Sequence, residues 1–240
     1  MTESENSERL QKVLSRVGIA SRRHSEELIN ASRITINSRV AVLGDKVDIT
    51  SDKIYLDNVL LDLNPNFVSY LLNKPVKVVS TVTDPQKRKK VVDFVPTNPR
   101  VYPVGRLDYE SEGLIILTND GDLAFSITHP SKKISKTYIT EIDRPISLSN
   151  IKKLRAGILL DDKMTFPAKV SQIGDRFLKI KIFEGRNRQI RRMLGSLGYD
   201  VLRLIRIEIG PIKDPKLQPG QFRKLELSEL SALRQSVGSK

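Results

Sequence analysis

Two hundred and forty residues make one large domain or two unequal ones at roughly 100–200 residues each, and 41 Lys and Arg against 28 Asp and Glu give a net charge of +13 and a pI near 9.9. That excess favours a polyanionic partner, most simply nucleic acid, and 39% hydrophobic residues suffice for a globular core. With no Cys and two histidines, His24 and His129, the chain offers no disulfide frame, no thiol nucleophile and no Cys or His-rich metal site. No apolar run nears the ~18–20 residues of a membrane helix and MTESENSERL has no signal pattern, so the chain reads as cytoplasmic.

Leu10, Val13, Leu14 and Val17 recur at helical spacing, so a first helix follows a Ser7 cap and stops at Gly18. Ser21 caps a second helix with Leu28 and Ile29 inside, and Ile34 and Ile36 then alternate as a strand ending at an Asn37-Ser38 turn. Eight cations face three acids between Arg9 and Lys46, whereas Asp45, Asp48, Asp52, Asp57 and Asp62 reverse the sign before Asn64-Pro65-Asn66. A small basic domain over 8–56 and a linker over 57–66 are expected, with residues 1–7 and 235–240 as disordered tails.

Beyond the linker the period turns mostly to two, over 67–72, 114–117, 136–142, 166–173, 176–183 and 202–209, with helical patterns near 120–126, 149–156 and 188–197. The fold class is therefore α+β: a small α/β domain, then a domain over 67–234 whose mixed, mainly antiparallel sheet is flanked by helices. Lys87-Arg88-Lys89-Lys90 beside Asp84-Pro85 reads as an exposed basic loop.

Phosphate-loop, dinucleotide and zinc-protease motifs are absent, and neither histidine sits near a nucleophile elbow. His129 before Pro130 reads as a turn residue, and His24 as a surface residue. Two polar clusters remain. In the first, Tyr102 to Gly113 precedes the apolar Leu114-Ile115-Ile116-Leu117 and then Thr118-Asn119-Asp120-Gly121-Asp122, so carboxylates flank a buried strand. They read either as turn and cap acids or as a nucleophile or base on a loop, and spacing does not choose among Asp108, Glu112 and Asp120. Carboxylates converging on Mg²⁺ in a nuclease fit the same pattern.

The second cluster runs from Glu184 to Gly198. At ~100° per residue Ile190, Met193, Leu194 and Leu197 share one helix face, with Arg188, Arg191 and Arg192 opposite, so one side is buried and the other cationic. That side is either a solvated face or a binder of phosphate or carboxylate, favoured by the helix dipole. Tyr138, between Lys136 and Thr140 on a strand, is either a sheet-surface tyrosine or a ring facing a cleft. With 5% aromatics and no Trp, a broad stacking platform for single strands is not expected.

Asn73-Lys74-Pro75, Val104-Gly105-Arg106-Leu107-Asp108 with Glu112-Gly113-Leu114, Lys136-Thr137-Tyr138 and Gly185 through Met193 occur in an order that resembles one family. It is the bacterial ribosomal RNA pseudouridine synthases of the small-subunit type, in the branch with an amino-terminal S4-like RNA-binding domain. Arg9 to Asp48 resembles that domain through RLQKVL and Ala20-Ser21-Arg22-Arg23, so the resemblance covers nearly the whole chain.

The resemblance implies isomerisation of one uridine of ribosomal RNA, or of a subunit assembly intermediate, by a monomer without metal, nucleotide or redox cofactor. By the same resemblance Asp108 is the catalytic aspartate, Arg191 its ion-pair partner and Tyr138 the residue stacked on the uracil. Arg9, Lys12, Arg16, Arg22, Arg23 and Arg33 would bind RNA from the first domain, and Lys74, Arg106, Arg186, Arg188 and Arg192 from the second. Lys74 and Pro75 also match a motif that supports the active-site loop. The wording from Tyr102 to Gly113 and from Gly185 to Met193 looks closer to members acting on the large subunit near the peptidyl-transferase centre. Two departures stand out. Lys77 lies where the family often has Gly, and Glu110-Ser111 where it often has Asp-Thr or Asp-Ser, which leaves substrate detail open. A non-catalytic assembly factor and a Mg²⁺-dependent ribonuclease are the competing readings.

Overall fold

The computed structural model describes residues 7–64 and 66–238, and the chain divides between Phe67 and Val68 into two compact units. The first unit runs β1 (Glu8–Arg9), α1 (Leu10–Arg16), α2 (Arg22–Asn30), β2 (Ile34–Ile36), β3 (Arg39–Val40), β4 (Lys46–Val47), β5 (Ile54–Leu56) and β6 (Val59–Leu60). Its four-stranded antiparallel sheet has the order β3-β2-β5-β6, and β1 pairs with β4. Leu10, Val13 and Leu14 of α1 and Leu28 and Ile29 of α2 close over Ile34, Ile36 and Ile54, which makes a small separate core.

Two expectations change here. The first helix is not capped by Ser7: Glu8 and Arg9 are extended against Val47 and Lys46, and Leu10 N–H donates to Asp45 O, so a backbone carbonyl takes a donor a cap would have served. Ser21 does cap α2, accepting from His24 N–H. The segment read as a linker over 57–66 begins instead as a hairpin. Asp57 and Asn58 both have positive φ, 48° and 65°, the conformation of a tight primed turn, and Val59 pairs with Leu56.

The second unit comprises β7 (Ser69–Lys74), β8 (Tyr102–Pro103), β9 (Glu112–Thr118), α3 (Gly121–Thr128), β10 (Lys136–Ile142), α4 (Leu148–Ala156), β11 (Leu159–Leu160), β12 (Lys163–Met164), β13 (Lys169–Gly174), β14 (Phe177–Ile182), α5 (Gln189–Gly195), β15 (Val201–Ile209), β16 (Ile212–Lys213), β17 (Phe222–Lys224) and α6 (Leu227–Gly238). Its sheet has the order β13-β14-β10-β15-β9-β7-β17, with β16 on β15 and β8 on β9. It is mixed and mainly antiparallel: β9 and β15 run parallel, joined through Ile205 opposite Glu112 and Arg206 opposite Gly113.

Helices cover both faces of the sheet. On one, Ile151 and Leu154 of α4 and Ile190, Met193 and Leu194 of α5 pack with Leu72, Ile115, Leu117, Leu178 and Ile180. On the other, Leu123 and Ile127 of α3 and Leu233 of α6 pack with Leu71, Leu114, Ile116 and Ile209. Each fully buried Leu or Ile contributes about 1.5–3 kcal/mol, so the alternation along β7 and β9 fixes which residues face which layer. The expected tails over 1–7 and 235–240 lie largely outside the described residues, although 235–238 continue α6. Among the described residues no helix is long and apolar enough to cross a membrane.

Candidate active site

The site grows from one lateral row of the large sheet. Ile180 of β14 pairs with Tyr138 of β10, Tyr138 with Arg206 of β15, Arg206 with Gly113 of β9, and Gly113 with Lys74 of β7. Directly paired residues project to the same face about 5 Å apart, so Tyr138, Arg206 and Lys74 line up along one shelf. Gly113 is the gap in it. At φ 108° a Cβ there would lie 2.3 Å from Arg206 O, so only glycine lets the two parallel strands meet.

Asp108 arrives on the loop between β8 and β9. Ser80 Oγ donates to Leu107 O at 2.8 Å and accepts from Leu107 N–H at 3.1 Å, and Lys77 N–H donates to Tyr109 O at 2.8 Å. Leu107 is buried in the core, and Ser111 N–H closes a turn onto Asp108 O at 3.0 Å. The carboxylate is thus carried on a loop pinned on both sides of it. It lines a cleft of about 690 Å³ with Tyr138, Lys136, Arg106, Arg206, Phe166 and the 182–190 segment, a volume suited to a single nucleotide-sized group.

The cleft is strongly cationic. Burial pushes Lys74 down to about 8, with the Asp108 charge opposing that shift, and the ammonium donates to Pro75 O and Val78 O at 2.9 Å. Burial, helped by the Arg206 charge, pushes Lys136 down to about 8 as well. Arg191 lies below its ordinary range through burial and then the neighbouring Arg188, while Glu110 and Asp108 counteract. Asp108 therefore sits within electrostatic reach of Lys74 and Arg191.

The structure brings Asp108 and Tyr138 to one cleft, with Tyr138 8% exposed. Arg191 is placed differently from the expected ion pair. Its Nη1 donates to Val201 O at 2.8 Å and its Nη2 to Glu110 O at 3.3 Å, so it braces the Asp108 loop through a carbonyl; among the described residues no salt bridge joins it to Asp108. Lys74 is fully buried, so it supports the loop after β7 and presents nothing to RNA phosphates.

Three further cations expected on RNA also serve the protein. Arg186 binds Glu184 and the carbonyls of Lys163 and Met164, Arg188 meets Glu110 at 3.4 Å, and Arg192 meets Asp161 at 2.6 Å. Arg106 is exposed at the cleft. In the first unit Arg22 and Arg23 are exposed, Arg9 donates to Gly44 O, Lys12 and Arg16 pair with Glu8, and Arg33 pairs with Asp57.

Sequence reasoning passed over Arg206, Lys136 and Ser80. Arg206 carried no local signal, since it alternates with Ile205 and Ile207 as Glu208 does, and only the structure shows that it shares the phase of the buried Leu204. Among the described residues no group of three or more His, Cys, Asp or Glu is placed to hold a metal ion.

Residues 68–196 match the family described as RNA pseudouridylate synthase, and residues 8–54 match the S4 domain. Ribosomal large subunit pseudouridine synthase B of Bacillus subtilis is 39% identical over 235 residues, covering 95% of this chain and 96% of that protein. An uncharacterized RNA pseudouridine synthase of Aquifex aeolicus is 39% identical over 240 residues, covering 97% and 96%. A crystal structure of a pseudouridylate synthase aligns with a TM-score of 0.70 at 29% identity, over 94% of this chain and 99% of its own. The matched fold, the S4 domain ahead of it and identity along nearly the full length of both relatives show that this chain belongs to the RNA pseudouridylate synthases.

Proposed function

We propose that the enzyme converts one uridine of ribosomal RNA to pseudouridine, that its substrate is large-subunit RNA near the peptidyl-transferase centre, and that Asp108 is its nucleophile. The observation that carries this reading is the cleft itself, in which Asp108 faces the same nucleotide-sized space as Tyr138. The name of the Bacillus subtilis relative and the wording of the 102–113 and 185–193 segments support the large subunit.

A paired or stacked uridine hides its glycosidic bond, so it must first turn out into the cleft. Asp108 then adds either to ribose C1′, expelling uracil through N1, or to uracil C6, loosening the same bond. The detached ring rotates, C5 bonds to C1′, the Asp108 bond is released, N1 takes a proton and C5 loses one. All atoms come from one uridine and water, so the isomerisation as written consumes no nucleotide and no redox partner. Tyr138 stacks on the freed ring, and Arg191 holds the Asp108 loop through Glu110 O.

Arg22, Arg23 and Arg106, exposed and cationic, bind phosphates, which position RNA without choosing a base. On this reading the enzyme works as a monomer in the cytoplasm, on ribosomal RNA or on a subunit assembly intermediate. Tritium release from C5-labelled ribosomal RNA transcripts tests it. Wild type should release tritium from intact large-subunit RNA in the presence of chelator, while Asp108→Asn releases none and still binds. Release from small-subunit RNA alone would refute the substrate, and undiminished release by Asp108→Asn would refute the nucleophile.

A further inference from the structure

Arg206 is 4% exposed in the middle of the site and is paired with no carboxylate among the described residues. Its Nε donates to Leu114 O at 2.6 Å, and its Nη2 is buried with no hydrogen-bond partner. An unpaired guanidinium is expensive to bury, at several kcal/mol in a typical interior. Lys74 and Lys136 add positive charge to the same field, and the acids that reach it, Asp108 and Glu112, form no ion pair with this guanidinium among the described residues. Arg191 is likewise held by carbonyls and no carboxylate, but both of its Nη groups donate, to Val201 O and Glu110 O. Arg206 is left with donors to spare and lines the cleft.

We infer that Arg206 is a catalytic residue of this reaction, which donates to a carbonyl oxygen of the turned-out uracil and stabilises the negative charge that gathers there. The inference rests on the reading of the cleft given above. Position decides between base and phosphate. Arg206 is the direct strand partner of Tyr138 on the sheet floor, so it lies at the level of the ring that stacks there. Gly113, the next residue in the row, contributes no side chain to cover it.

The chemistry needs such a donor whichever carbon Asp108 attacks. Attack at C1′ breaks the C1′–N1 bond and leaves its electron pair on uracil, spread over N1, O2 and O4. Addition at C6 moves the C5–C6 pair toward C4 and gathers charge on O4. In both cases the pair returns when C5 bonds to C1′ and the C5 proton leaves. A donor fixed in a low-dielectric site lowers these barriers without reorganising.

The test uses the full chain, comparing Arg206→Gln and Arg206→Lys with wild type in single-turnover tritium release, RNA affinity and thermal midpoint. Arg206→Gln should slow release about 100- to 1,000-fold, the scale seen when one such donor is removed, with RNA affinity within about threefold, and Arg206→Lys should recover part of the rate. Release within threefold of wild type overturns the inference. So does a loss of affinity that matches the loss of rate, which would assign Arg206 to a phosphate, or a rate loss that only follows the unfolded fraction.

A variant-independent measurement covers misfolding. In a crystal structure of wild type with RNA bearing 5-fluorouridine at the target, the guanidinium should lie within hydrogen-bond distance of O2 or O4, and a guanidinium bound elsewhere overturns the role. Absence of release by wild type overturns the underlying reading and this inference together, whereas release that survives Arg206→Gln sinks this inference alone.

Discussion

Gly113→Ala should unfold the second unit far more readily than its single added methyl suggests. The new Cβ would stand 2.3 Å from Arg206 O and 2.6 Å from Arg206 N, about 1 Å inside normal contact, and both atoms are backbone of the neighbouring strand. Neither can rotate away, so β15 must shift from β9. The φ of 108° adds strain for any L side chain, about 1–3 kcal/mol, and overpacking adds roughly 1–3 kcal/mol more. The damage falls where the sheet is thinnest in pairing, because two registered pairs join β13-β14-β10-β15 to β9-β7-β17. The expected loss is about 2–6 kcal/mol, which at ~2–4 °C per kcal/mol lowers the thermal midpoint by roughly 5–20 °C. Urea denaturation followed by circular dichroism measures it, with Gly195→Ala as control. That helical glycine has nothing within 4 Å, so alanine there should stabilise by about 0.4–1 kcal/mol. A Gly113→Ala protein within 1 kcal/mol of wild type would refute the reasoning.

Other perturbations test the supports of the same site. Lys77 has φ 61°, so Lys77→Gly should raise stability by about 0.5–1 kcal/mol in urea; a lower midpoint would count against strain at that turn. Ser80→Ala removes both hydrogen bonds to Leu107 and should cost about 1–2 kcal/mol while lowering kcat roughly tenfold at unchanged RNA affinity; unchanged kcat would show that the Asp108 loop does not need this clamp. Lys74 titrates near 8 in the folded chain and at its ordinary 10.5 when unfolded. Below pH 8 both states hold the proton and the burial penalty is full; from about 8 to 10.5 the unfolded chain alone keeps it, so stability rises with pH across that window. Lys74→Met should make that rise shallower in urea midpoints taken across the window, with Lys136 still contributing to it, and parallel curves for the two proteins would contradict it. Arg22→Ala with Arg23→Ala should lower the slope of log affinity against log salt by about 1 per residue, and an unchanged slope would remove them from the RNA contact.

Elements that carry their own signal were legible in the sequence, and elements made by a partner were not. The strand over 136–142 coincides with β10 because alternation and length are properties of those residues alone, and Ser21 caps α2 because its side chain reaches the next amides. The two-residue strands β8, β16 and β17's short run exist through the strands they pair with, so no local period announces them. The helix α6 was passed over, as its apolar residues Leu230 and Leu233 face the core from a largely polar run. The hairpin at Asp57-Asn58 did announce itself. Consecutive residues tolerant of positive φ before Val59-Leu60 are a turn signal, which the run of aspartates obscured by reading as a linker.

The site divides along the same line. Asp108, Tyr138 and the arginines of the 185–193 segment stand in polar stretches, where composition draws the eye, and the fold does gather Asp108 and Tyr138 into one cleft. Lys74 and Arg206 are different, since their meaning depends on burial. Lys74 follows an apolar strand and looks like a cation at its solvent end, yet the loop after it folds back so that Pro75 and Val78 carbonyls take the ammonium. Arg206 sits within Leu-Ile-Arg-Ile and looks like the outward residue of an edge strand. Because β15 is held between β10 and β9 and the sheet face that carries Leu204 packs with residues of α4 and α5, an arginine in that phase becomes a buried charge at the cleft. A charge at an inward strand position is therefore evidence of chemistry only once the strand's neighbours are known, and the lateral row from Tyr138 to Lys74 is what supplies them.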